Sequence, residues 1–209
     1  TDCGHITNSA GLELDSIGLA AKAEQMESLE IVYKYNSKFQ DIQKAYNLLR
    51  PSIEPTATAH IQEQIEIIEK IMENGFAYVS NGTVYFDVNK YVKSNPYGVV
   101  SGRKIDELLN ESRELQGQEE KRNPADFALW KKAQSEDMQI WRSPWGDGNP
   151  GWHIECTAMS TKYLGEEFDI HGGGMDLKFP HHENEVAQSC GAGMKNPANY
   201  WMHANMLNV

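Results

Sequence analysis

The stretch Phe168-Asp169-Ile170-His171-Gly172-Gly173-Gly174-Met175-Asp176-Leu177-Lys178-Phe179-Pro180-His181-His182-Glu183-Asn184-Glu185 reads as a strand, a glycine loop and the start of a helix. Phe168-Asp169-Ile170 supplies the strand, His171 to Gly174 the loop, and Pro180 opens a helix that runs to Cys190. Upstream, the helical run Trp152 to Leu164 ends at Gly165. Downstream, the apolar run from Met202 to Val209 suits a buried strand. Strands alternating with helices predict an α/β fold whose parallel sheet works at the carboxyl ends of its strands.

The segment before this unit has a different character. Leu29, Val32, Tyr33, Phe39, Ile42 and Tyr46 share one face of a predicted helix. The Leu49-Arg50-Pro51 break ends that helix, because the residue before proline is pushed out of helical geometry. A second helix spans Thr58 to Glu73 with Ile61, Ile65, Ile68 and Met72 as its core stripe, and Gly75 lies where a left-handed cap is expected. Asn81-Gly82, between Tyr78-Val79-Ser80 and the run Thr83 to Val88, is a strong hairpin signal. Gly98-Val99-Val100-Ser101-Gly102 suits an edge strand, Asn110 to Asn123 a linker or solvated helix, and Phe127 to Trp130 a short buried strand or helix start. The hairpin and charged linker read as an insertion into the α/β layer.

Composition narrows the function classes. An apolar content of 40 % supports a true core, and a net charge of −11 argues against a dedicated nucleic-acid-binding module, which normally shows a basic face. No apolar run approaches the ~20 residues needed to span a bilayer, and no basic-then-apolar leader is seen. Cys3, Cys156 and Cys190 lack any disulfide framework spacing, which suits a reducing, cytoplasmic setting. The start at Thr1 and the stop inside the apolar run to Val209 suggest an excised piece of a longer protein.

His181 and Glu185, four residues apart on one helical face, can reach a single cation. Cys156 in the preceding helix completes a thiolate, imidazole and carboxylate set suited to zinc. The same residues also fit a plain surface pair and an ordinary buried cysteine. His171-Gly172-Gly173-Gly174 with Asp176 allows close backbone approach to a nucleotide and a carboxylate for ribose hydroxyls, or else marks a tight turn of positive φ. Trp152, His153 and His182 read by default as structural.

Three strings carry a resemblance: the run Gly151 to Met159, the run Phe168 to Leu177, and Phe179 to Glu185. Lys121 to Lys131 and Tyr200-Trp201-Met202-His203 add to it, in the same order. Together they closely resemble the cysteinyl-tRNA synthetases. The resemblance implies a class I, Rossmann-type catalytic domain split by a connective-peptide insertion. It divides the chain into residues 1–50, the insertion at 51–125, and 126–209 with the zinc site. It also implies ATP-dependent activation of L-cysteine, with magnesium, and transfer to tRNA(Cys).

In that family two cysteines, a histidine and a glutamate hold zinc; the last three fall on Cys156, His181 and Glu185, and the first lies upstream of Thr1. Thr1 and Trp152 match residues at the amino-acid pocket, and His171, Gly172, Gly174 and Asp176 match the ATP or adenylate site. Zinc prefers a soft thiolate to a serine hydroxyl, a distinction that a hydrophobic pocket makes poorly. The family's His-Ile-Gly-His and Lys-Met-Ser-Lys-Ser motifs are not among these 209 residues, so this chain alone is expected to be inactive in adenylation. The alternatives are the related cysteine ligase of mycothiol synthesis, a zinc hydrolase using Glu183 or Glu185 as base, and a noncatalytic domain docking through its insertion.

Overall fold

The computed structural model describes residues 2–3, 5–7, 13–103 and 120–206. Thr1, most of the segment from Asn110 to Asn123, and Leu207 to Val209 lie outside the described residues. A short antiparallel pair, β1 (His5–Thr7) and β2 (Glu13–Asp15), leads into helices α1 (Ser16–Glu24) and α2 (Ser28–Ala45). The side chain of Asp15 caps the first helix by accepting from the Gly18 N–H at 2.7 Å.

Helix α2 ends four residues before the expected proline break. Asn47 turns the chain at φ 53°, a left-handed position that asparagine tolerates. Its predicted apolar face is also uncovered: Tyr33, Phe39, Ile42 and Tyr46 are exposed, and only Ser28 and Ile31 are buried. The second predicted helix forms as a 3-10 turn (Ala57–His60) followed by α3 (Ile61–Glu73), with Gly75 at φ +77°. Its buried stripe is Gln64, Ile65, Ile67, Ile68 and Ile71, broader than the predicted one, and it packs against β3 and two helices that follow later in the chain.

The hairpin forms as read, with β3 (Ala77–Ser80) and β4 (Thr83–Phe86) in the register Tyr78↔Tyr85 and Ser80↔Thr83. Asn81 and Gly82 both take positive φ, the requirement of a two-residue turn that follows the strands' twist. After the short helix α4 (Val88–Tyr91), β5 (Phe127–Lys132) and β6 (Gly148–Pro150) extend the hairpin into a four-stranded antiparallel sheet, β3-β4-β5-β6. Val99 and Val100 form no strand; their segment is a turn wrapped around a carboxylate, described below.

The parallel part is a strand–helix–strand unit. β7 (Phe168–Gly174) and β8 (Ala198–Ala204) pair in parallel from Phe168↔Ala198 to Gly174↔Ala204. The three glycines are therefore inside the strand, and none has a positive φ, which excludes the tight-turn reading. Helices α5 (Trp152–Leu164) and α6 (His181–Gly191) pack on each other and on α3. The core lies between these helices and the antiparallel sheet, where Ile68, Ile71, Phe86, Trp130 and Ile154 are buried together. A Cβ on Gly151 would collide with the Ala128 carbonyl, so this glycine lets α5 begin hard against β5. No helix among the described residues is long and apolar enough to cross a membrane.

Candidate metal centre and nucleotide edge

Helix α6 sets the site. Every residue from His181 to Ser189 is buried, although seven of these nine carry polar side chains, so each must find a partner inside the protein. Most do. His181 Nδ1 lies 2.7 Å from His153 Nδ1, and His182 Nδ1 lies 2.9 Å from His203 Nε2. Asn184 Oδ1 accepts from the Tyr97 hydroxyl at 2.6 Å, and Gln188 meets the Thr157 hydroxyl at 2.7 Å. The Glu183 carboxylate accepts from four successive backbone N–H groups, Gly98 to Ser101, at 2.8–3.0 Å, and from the Ser101 hydroxyl at 3.0 Å.

Glu185 is the exception. Its Oε1 is buried and has no hydrogen-bond partner among the described residues. His181 Nε2 approaches it at 3.2 Å and His171 Nε2 at 3.6 Å, yet neither contact has hydrogen-bond geometry. Cys156 faces the same point from α5, and the ligand atoms of Cys156, His181 and Glu185 all lie within 4.8 Å of one another. The structure thus brings together the three residues that the sequence singled out.

Electrostatics explain why this cluster suits a cation. Burial pushes the Glu185 carboxyl well above the usual carboxylate range and pushes the Cys156 thiol up. Burial, with His171 nearby, holds His181 down at about 4. Without a cation the set is therefore neutral, and its orphaned oxygen is uncompensated. A divalent ion supplies the charge that lets the thiolate and carboxylate ionise in place. With His181 Nδ1 donating to His153, Nε2 presents its lone pair toward Glu185, the arrangement a metal-ligating imidazole needs. The thiol, imidazole and carboxylate set fits zinc. Cys3 is buried elsewhere, and its thiol is pushed up by burial and by Glu155.

Trp152, the first residue of α5, covers the cluster with its ring 4.3 Å from that of His181. Thr1 lies outside the described residues. On the other side, His171 stacks on Trp201 at 4.7 Å and meets the His182 edge at 4.5 Å. Burial holds His171 at about 4 and His182 at about 3. Gly172 and Asp176 are exposed on the carboxyl-terminal side of β7, and a Cβ on Gly174 would strike the Asp176 carboxylate. The structure therefore places His171 with the ligand cluster, and along the carboxyl-terminal edge of β7 it leaves Gly172 exposed, Gly174 half-buried and Asp176 exposed on the 3-10 turn that follows.

Sequence reasoning treated His153 and His182 as structural and did not single out His203 or the anchoring of Glu183. Successive helical residues point to different sides, and only the tertiary fold shows what each meets. The hydrolase reading of Glu183 fails on the structure, because five donors saturate its carboxylate and leave no lone pair for a general base.

Residues 3–209 match the family described as tRNA synthetases class I (C) catalytic domain. A cysteine–tRNA ligase of Bacteroides fragilis is 56% identical over 209 residues, which are 100% of this chain and 43% of that protein. The cysteine–tRNA ligases of Porphyromonas gingivalis and Deinococcus radiodurans are each 54% identical over the whole chain, which covers 43% and 41% of their lengths. The chain thus spans about two fifths of the length of these relatives.

Proposed function

Since the chain belongs to the class I (C) tRNA synthetase catalytic-domain family, we propose that it carries the amino-acid-selecting centre of a cysteine–tRNA ligase. The observation that supports this reading is the convergence of Cys156, His181 and Glu185 on a buried, unpartnered carboxylate oxygen. These three residues would hold zinc, which supplies when bound a soft Lewis acid that accepts the thiolate of L-cysteine and not the hydroxyl of serine. His153 orients His181 through the Nδ1 contact. Trp152 walls the cluster from water, and Thr1 is assigned to the amino-acid pocket on the family resemblance.

His171, Gly172, Gly174 and Asp176 are assigned to ATP or the adenylate, with magnesium accompanying ATP. The exposure of Gly172 and Asp176 supports a nucleotide lying along that edge. The domain division at residues 50 and 125, the transfer to tRNA(Cys), and a cytoplasmic location belong to the same reading. So does the expected inactivity of these 209 residues alone in adenylation.

Cobalt(II) in place of zinc tests the pocket directly. The loaded chain is expected to show a sulfur-to-cobalt absorption from Cys156 that intensifies on titration with L-cysteine and does not change with L-serine. Equal responses to the two amino acids would remove the selecting role.

A further inference from the structure

Glu185 serves a second set of ligand atoms. His171, His182 and Glu185 each offer one within 4.8 Å of the others, and this set contains neither Cys156 nor His181. Two imidazoles and a carboxylate are a recurrent way to hold a borderline divalent ion, and they suit cobalt, nickel or zinc without any thiolate.

The surroundings hold these two imidazoles for the task. His182 Nδ1 is committed to His203 Nε2 at 2.9 Å, which leaves its Nε2 for coordination. His171 packs against Trp201, stacked at 4.7 Å, and Phe168, tilted at 5.7 Å, with its Nε2 3.6 Å from Glu185 Oε1. The oxygen they share is the buried one that lacks a hydrogen bond among the described residues. We propose that His171, His182 and Glu185 form an alternative seat for a single divalent cation, in competition with the Cys156–His181–Glu185 seat for one carboxylate.

The competition follows from geometry. An ion drawn to the imidazole pair takes Glu185 from the thiolate set, so the centre holds one ion in either of two positions. Thiolate softness favours the Cys156 position for zinc, and removal of that sulfur shifts the ion across to His171. This inference uses the ligand role of Glu185 from the proposed function and goes beyond it, because no family assignment gives His171 or His182 a metal.

Cobalt(II) alone, added to the metal-free chain, tests it. The wild-type chain is expected to take one cobalt with sulfur-to-cobalt absorption. Cys156→Ala is expected still to take one cobalt, without that band. In the Cys156→Ala background, His171→Asn is expected to weaken cobalt binding by about tenfold or more, whereas His181→Asn leaves it unchanged. The proposal is overturned if Cys156→Ala binds no cobalt, if the residual binding follows His181 and not His171, or if the wild type takes two ions. Absence of the sulfur band in a wild-type chain that binds one cobalt would sink the Cys156 reading and leave this seat standing. Thermal melting of each metal-free variant separates a lost ligand from a lost fold. If the buried His182→Asn does not fold, His171→Asn, on a half-buried ring, still decides the outcome.

Discussion

Gly173 determines how closely β7 approaches the ligand helix. A Cβ there would lie 2.6 Å from His182 Cε1 and 3.2 Å from a Leu177 methyl carbon, whereas one on Gly172 would meet only the Met202 carbonyl at 4.0 Å. Gly173→Ala is therefore expected to cost about 1–3 kcal/mol and to speed metal loss to a chelator, while Gly172→Ala leaves both unchanged. Thermal denaturation and a chelator competition check the pair. A glycine run after a strand suggests close approach to a ligand at Gly172, Gly173 and Gly174 alike, and the family resemblance selects Gly172 and Gly174. Neither reading shows what constrains Gly173, which is a ring 9 residues away, delivered by the fold. Cys156, His181 and Glu185 were readable for the opposite reason: helical spacing alone puts the last two on one face.

Among the elements, the turn at 98–101 and helix α6 act as one piece. Five hydrogen bonds tie the Glu183 carboxylate to that turn, so the helix bearing His181 and Glu185 is fastened to the chain that follows α4. Glu183→Gln keeps the side chain's length but turns two amide hydrogens toward backbone N–H donors. The expected cost is on the order of 3 kcal/mol, read by urea denaturation, with faster amide hydrogen exchange at residues 98–101. An unchanged midpoint would mean that the turn is held by other contacts. The same turn shows where sequence patterns mislead. Val99-Val100 between glycines resembles an edge strand, but its N–H groups are satisfied by a distant carboxylate and not by a neighbouring strand. The Asn81-Gly82 hairpin was legible because its signal is complete within the turn itself. Helix α2 was found by its periodicity, yet periodicity does not say whether a face is covered, and most of this one is exposed.

At the scale of the whole molecule, the centre makes stability depend on metal and on acid. In the metal-free chain His171 and His181 titrate at about 4 and His182 at about 3, against about 6.5 in an unfolded chain. Between those values the unfolded chain binds more protons at these three sites, so their contribution falls as pH drops from neutrality toward 4. Glu185 has the opposite sign. Its raised pKa leaves the folded state holding a proton that the unfolded chain has released, so that contribution weakens as pH rises above the ordinary carboxylate range. Three sites outweigh one: the chelated chain is expected to melt lower near about pH 5 than near pH 7, with a shallower fall in His171→Asn. Melting curves with and without zinc check both, since a ligand that binds only the folded state raises the transition. A chelated chain whose transition rises on acidification would contradict the assignment of the histidines as neutral.

Each seat of the centre also has its own indole. Trp152 lies against His181, and Trp201 lies flat on His171. Imidazole in contact with indole alters its emission, and the effect changes when the imidazole takes up a proton or an ion. The chain thus contains two built-in optical probes, one per seat. Trp130, Trp141 and Trp145 also emit, so the signal is read as a difference: the metal-induced change that is lost when Trp152 or Trp201 is replaced by phenylalanine tells on which side of Glu185 an ion has settled.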